Sequence, residues 1–218
     1  MLRPYDTIDE ILTLSPVMPV IAIDDASRAV ELARALMAGG IRVMEITLRT
    51  PAALEAIRII SEAVEGAVVG AGTVLTPADL ERVRNAGASF AISPGMTPQL
   101  LREASAADFP FLPGVATASE IMQGLDAGLA RFKLFPAASA GGIAALKSFA
   151  GPFPDVKFCP TGGIGASDFT AYLDLQNVLC VGGSWIAPSD LIRSGAYGEI
   201  TALSRAAVHA ASLSGQKG

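Results

Sequence analysis

The sequence predicts a (β/α)8 (TIM) barrel with an extra N-terminal helix, filling residues 1–218 as one domain. Three observations predict it. Short apolar runs recur eight times at intervals of about 20–26 residues, the length of a compact strand-plus-helix unit. The stretches between them open with helix-capping residues and close with glycine. No linker or low-complexity segment interrupts the series.

Taken in order, the residues through Leu14 form the extra helix, placed across the barrel's bottom ahead of the first strand. The strands are PVIAI at 19–23, RVMEITL at 42–48, AVVGAGT at 67–73 and FAISPG at 90–95. They continue with FLPGVA at 111–116, RFKLFPA at 131–137, KFCPTGG at 157–163 and VLCVGGSW at 178–185. Each run is too short for a helix and most are rich in β-branched residues, so strands are predicted. Thr50-Pro51, Thr76-Pro77 and Thr97-Pro98 each set a capping hydroxyl before a proline at the first helical position. Thr117 and Glu120 have capping-box spacing. Gly39, Gly87, Gly128 and Gly151 fall where left-handed C-terminal caps belong. The rival is an open doubly wound sheet, but eight nearly uniform crossovers favour closure.

With 51% hydrophobic and 17% charged residues, the chain has ample material for a large core, and the apolar share hints at surface covered by a partner subunit. The net charge of -5, without any Lys/Arg stripe, argues against nucleic acid or an anionic membrane as partner. The N-terminal stretch mixes acidic residues into its apolar ones and has no signal-peptide core, and no run reaches the length of a membrane span. A cytoplasmic protein is expected, with Cys159 and Cys180 as reduced core residues. One histidine, His209, and two separated cysteines offer no metal cluster, and no strand-to-helix GxGxxG suggests a dinucleotide. Neither a metal cluster nor a dinucleotide is expected on these grounds.

Barrel chemistry sits at the C-terminal ends of the strands. Lysine occurs at 133, 147, 157 and 217, and only Lys133 lies in mid-strand, flanked by Phe132, Leu134 and Phe135. Burial there disfavours the ammonium and leaves an amine able to attack a carbonyl; the alternative is an ammonium paired with a carboxylate across the barrel. Glu45 is the natural partner. It lies in the second strand, which faces the sixth, and shares a face with Val43, Thr47 and Arg49. It could shuttle protons, hold Lys133 in a structural ion pair, or do both, with the pair parting when substrate enters. Arg49 ends that strand with a planar fork suited to a carboxylate, or is simply a surface arginine. Thr161-Gly162-Gly163 and Gly182-Gly183-Ser184 end the seventh and eighth strands, where barrels often bind phosphate, though tight turns also use such glycines.

The strings RVMEITLRT, VVGAGTVL, FAISPGMT, FKLFPA, FCPTGGI and VGGSW resemble, in order and over nearly the whole chain, those of the 2-keto-3-deoxy-6-phosphogluconate (KDPG) / 4-hydroxy-2-oxoglutarate aldolases. The resemblance implies a homotrimeric class I aldolase of the Entner–Doudoroff pathway, free of metal and organic cofactor. Its substrate would be a phosphorylated keto acid, split into pyruvate and glyceraldehyde 3-phosphate. The resemblance makes Lys133 the Schiff-base lysine and Glu45 the general acid/base. Arg49 and Thr73 surround the pyruvoyl carboxylate, and Pro94 and Phe135 wall the pocket. Thr161, Gly162, Gly163 and Ser184 contact hydroxyl and phosphate, with Gly182 and Gly183 in the same loops. Other readings are an aldolase for the galactonate epimer, another phosphate-binding barrel such as an epimerase or thiamine-phosphate synthase relative, and an inactive barrel with a regulatory role.

Overall fold

The computed structural model describes residues 7–214. Met1–Asp6, the first part of the expected N-terminal helix, lie outside that range; the helix described, α1, spans Ile8–Leu12 and is capped by a reciprocal Thr7–Glu10 box. The strands are β1 (Val17–Ile21), β2 (Val43–Thr47), β3 (Val68–Gly72), β4 (Ala91–Ile92), β5 (Phe111–Leu112), β6 (Gly114–Val115), β7 (Arg131–Leu134), β8 (Lys157–Phe158) and β9 (Val181–Gly183). The helices between and after them are α2 (Ala29–Ala38), α3 (Ala53–Ala63), α4 (Pro77–Asn85), α5 (Pro98–Ala106), α6 (Ala118–Asp126), α7 (Gly142–Ala150), α8 (Phe169–Leu173), α9 (Ser189–Ser194) and α10 (Tyr197–Ser214).

The strands form a curled α/β architecture. A six-stranded parallel sheet runs β5-β4-β3-β2-β1-β9, and a three-stranded parallel sheet runs β6-β7-β8. Isolated parallel bridges, Phe158 to Val178 and Thr161 to Gly182, connect the end of the second sheet with the β9 edge of the first. Where one strand was expected at 111–116, two short ones flank Pro113. Proline has no N–H to donate, so it interrupts the ladder there, while its carbonyl accepts from the Lys133 N–H at 2.9 Å.

Two clusters of buried side chains follow from strand alternation. The larger packs the helices on the sheet's outer face and contains Phe132 and Leu134, the two neighbours of Lys133 in β7. The smaller is internal and gathers Met18, Val43, Val68, Phe90, Ile92, Leu112, Cys159 and Cys180 with Ile11 and Leu12 of α1. Val43 and Val68 begin their strands, so α1 seals the N-terminal ends. The Arg131 guanidinium clamps it there, with Nε and Nη2 donating to the two oxygens of Asp9 at 2.5 and 2.8 Å.

Several local expectations hold and others need correction. Thr76, Thr97 and Thr117 cap α4, α5 and α6 as their sequences require, Thr117 in a full capping box with Glu120. Thr50 does not cap α3, which starts later, after Ala52; its hydroxyl instead donates to the Ile23 carbonyl at 2.5 Å and ties two strand ends together. Gly87 and Gly128 take the left-handed form, but after α2 it is Gly40 that does so. Gly39 is right-handed and close-packed on Ser204 of α10, and Gly151 is right-handed as well.

In β3, a methyl group on Gly70 would overlap the Phe90 ring. Gly70→Ala should therefore destabilise the fold by about 1–3 kcal/mol through overpacking, measurable as a lower midpoint of urea unfolding with an unchanged slope.

Candidate active site

Lys133 and Glu45 meet inside the sheet. Glu45 is the middle residue of β2, paired in register with Val20 on one side and Gly70 on the other. Lys133 lies inside β7, opposite Gly114. The Lys133 Nζ donates to both carboxylate oxygens of Glu45, at 3.1 and 3.3 Å. The two side chains are only 6% and 2% exposed. In so dry a place neither charge would be tolerated alone, so each makes the other possible.

Aromatic and polar groups complete the surroundings. The Nζ lies 5.2 Å from the centre of the Phe135 ring, within cation–π range. That ring in turn comes within 3.4 Å of where a Cβ on Gly162 would stand. Gly162 and Gly163 have φ of 101° and 77°, a left-handed turn that glycine adopts freely and that leaves backbone N–H groups open to approach. Thr161 is buried; its hydroxyl donates to the Cys159 carbonyl at 3.3 Å and lies 3.8 Å from the Cys159 sulfur. Gly182, bridged to Thr161, leaves the space that this hydroxyl occupies. The two free, buried cysteines lie alongside. The hydrogen bond from the Cys180 thiol holds Cys159 below its ordinary range, against burial and with help from Lys133 and Thr161. Cys180 is pushed well up, first by that same bond and then by burial.

The remaining expected residues sit at the strand ends. Arg49 is exposed just beyond β2 and donates from Nε to the Thr47 hydroxyl at 3.0 Å. Thr47 itself donates to the Ile21 carbonyl at 2.8 Å, so one buried hydroxyl links β1, β2 and the arginine. Thr73, just after β3, is half-buried with φ 59°, a conformation unusual for threonine. The Pro94 carbonyl packs directly on the bare face of Gly114, held by the Ser93 hydroxyl, which donates to the Gly95 carbonyl at 2.5 Å. Gly183 differs from the others: the space beside its Cα is filled by the Trp185 ring, so it serves packing on that side. Ser184 is exposed, and its carbonyl accepts from the Ala187 N–H at 3.3 Å.

The structure thus joins Lys133, Glu45, Phe135, Thr161, Gly162 and Gly182 through direct contacts. Arg49, Thr73, Pro94, Gly163 and Ser184 are set on the loops around them. Thr47 and Gly72 were not singled out from sequence. Thr47 lies two residues from Glu45 on the same strand face, and that spacing was the available signal. His209 is exposed on α10, and among the described residues no three His, Cys, Asp or Glu side chains group as metal ligands.

A buried pair of this kind has a definite energetic signature. Glu45→Leu, which leaves Lys133 without its carboxylate, should cost about 3–5 kcal/mol in chemical denaturation, while Glu45→Leu/Lys133→Met should recover much of that loss.

The family model described as KDPG and KHG aldolase matches residues 8–203. The 2-dehydro-3-deoxy-phosphogluconate aldolase of Dickeya dadantii (strain 3937) is 54% identical over 92% of this chain and 94% of its own length. The KHG/KDPG aldolase of Escherichia coli (strain K12) is 52% identical, over 94% and 96%. A crystal structure of KDPG aldolase from Legionella pneumophila, with pyruvate captured at low pH as a covalent carbinolamine intermediate, aligns with a TM-score of 0.91. It is 49% identical and covers 92% of this chain and 98% of that one. A match over nearly all of the sequence, together with the same fold, means that this chain belongs to the KDPG and KHG aldolase family.

Proposed function

We propose that the protein is a class I aldolase, a carbon–carbon lyase, that splits 2-keto-3-deoxy-6-phosphogluconate into pyruvate and glyceraldehyde 3-phosphate. The observation that carries this reading is the dry Lys133–Glu45 pair, with Nζ 3.1 Å from Oε1. A proton passed across that distance frees the amine and loads the carboxyl group in one move. The amine adds to the C2 ketone to give a carbinolamine, whose hydroxyl takes the proton from Glu45 and leaves as water, forming an iminium and restoring the Glu45 carboxylate. Glu45, directly or through a water, takes the C4 hydroxyl proton. The C3–C4 bond then breaks, its electrons moving into the iminium to leave an enamine and the free aldehyde. Protonation of the enamine at C3 by Glu45 restores the iminium, and hydrolysis releases pyruvate. The iminium is the electron sink, the part a metal ion plays in other aldolases.

The other residues take roles that suit their positions. Arg49, braced by Thr47, and Thr73 receive the pyruvoyl carboxylate, and Pro94 and Phe135 wall the keto acid. Thr161 meets a substrate hydroxyl. Gly162, Gly163, Gly183 and Ser184 offer N–H and O–H donors to the phosphate at the ends of the last two strands, and Gly182, whose N–H donates to the Pro160 carbonyl at 2.9 Å, lines the same loop. The gluconate epimer follows the naming of the relatives at 54% and 52% identity. Cleavage of 4-hydroxy-2-oxoglutarate to pyruvate and glyoxylate is a second activity, since the pyruvoyl half is shared and the Escherichia coli relative is named for both.

The reading extends to architecture and context. Residues 1–218 form one domain in which the two sheets close into an eight-stranded barrel, with β5 and β6 as the two halves of its fifth strand and α1 as the extra helix. Support comes from the continuity through Pro113 and from the bridges of Phe158 to Val178, just before β9, and of Thr161 to Gly182 within it. A homotrimer in the cytoplasm follows from the family resemblance and from the metabolic role of the relatives. No described helix is long and apolar enough to cross a membrane.

Borohydride reduction in the presence of pyruvate should leave a pyruvate-derived adduct on Lys133, located by peptide mass spectrometry; an unlabelled Lys133 would refute the imine. Lys133→Arg keeps the charge but cannot form the imine, so kcat should fall by roughly three orders of magnitude or more with circular dichroism unaltered. Enzyme treated with EDTA should retain its activity, and recovery only on adding a divalent ion would contradict the metal-free mechanism.

A further inference from the structure

Glycine weakens a strand, because it offers no side chain to pack and restricts more backbone freedom on folding. β3 nevertheless carries Gly70 and Gly72, and neither has a positive φ. Backbone conformation does not call for them, so the reason is space. Two residues apart, they share one face. Gly70 makes room for Phe90 in the internal apolar cluster, and Gly72 makes room for Glu45. A methyl group on Gly72 would overlap Oε1 and stand 2.6 Å from both Cδ and Cγ, so it would collide with the whole outer half of the glutamate. In register, Gly72 lies opposite Thr47, two residues beyond Glu45. The glutamate therefore leans along its strand towards the C-terminal ends and comes to rest over bare backbone, where it meets the Lys133 Nζ.

We infer that Gly72 is a positioning residue: its missing side chain is the slot that holds the Glu45 carboxylate against Lys133. This rests on Glu45 being the proton carrier of the proposed reaction. A flexible side chain aligned for proton transfer needs walls, and a displacement of about 1 Å can cost roughly a hundredfold in rate. Gly72 supplies one wall as backbone, which cannot swing aside as a side chain can.

Exchange of the pyruvate methyl protons with D2O, followed by NMR, reads the proton transfer at C3, and borohydride trapping of pyruvate reads imine formation separately. Gly72→Ala should slow exchange by about 10–100-fold while Lys133 still traps pyruvate. In a Glu45→Gln background the same substitution should change the residual exchange less than about threefold, because the group it displaces no longer carries protons. Equal losses in both backgrounds, or no loss in the parent, would overturn the inference. Gly70→Ala, which crowds Phe90 instead, separates general destabilisation from the selective loss.

If the methyl impairs folding beside the intact glutamate, Glu45→Ala and Glu45→Ala/Gly72→Ala have room for it. Formate should then restore exchange about tenfold or more in the first and not in the second, where the slot is filled. Equal rescue in both would count against the slot. Should Glu45→Gln leave exchange unaltered, the proton-carrier assignment itself falls, an outcome distinct from a failure confined to Gly72.

Discussion

Two opposite charges held out of water, on Lys133 and Glu45, constrain almost everything around them. Moving either alone into such an interior would cost several kcal/mol, so the fold must bring both together or neither. That requirement explains why β2, inside one sheet, and β7, the middle strand of the other, face each other, and why β7 is apolar on its outer side, with Phe132 and Leu134 in the core. The pair is stable in the closed interior, yet it is also the sort of contact that an incoming carbonyl group can replace.

The interior is layered along the strand direction. At the N-terminal ends, Ile11 and Leu12 of α1 join Val43, Val68 and Phe90 in an apolar plug, and the Arg131–Asp9 clamp fastens the helix in place. Above it come the thiols of Cys159 and Cys180, then the charged pair with the Thr161 hydroxyl. Beyond these lie the residues of the loops, the left-handed Gly162 and Gly163 among them. Polarity rises towards the C-terminal ends, so stability is concentrated at one end and binding capacity at the other. This division lets loop chemistry vary without loosening the base.

Bare backbone plays a part in this layering that composition hides. Gly72, Gly182 and Gly114 each leave room for a specific neighbour: the Glu45 carboxylate, the Thr161 hydroxyl and the Pro94 carbonyl. Filling those places with methyl groups would displace the groups around the buried amine rather than simply crowd a core. Elsewhere, as at Gly39 against α10 and Gly124 against Phe132, the same device serves only close packing.

The run of short apolar segments, the Thr-Pro caps and the lone mid-strand lysine were legible in the residues themselves, because alternation, capping and burial are local rules. So was the pairing of Lys133 with Glu45, once opposite strands were counted. Other features depended on neighbours distant in the chain. The halves on either side of Pro113 join different sheets, β5 pairing with β4 and β6 with β7, and Thr50 gives up its cap to bond Ile23 just beyond β1. Gly39 packs on a helix more than 150 residues away. The slot at Gly72 exists only because Glu45 leans over it. Local periodicity specifies which face a side chain takes, whereas its exact neighbour is chosen by packing across the fold, and that information resides in no single stretch of sequence.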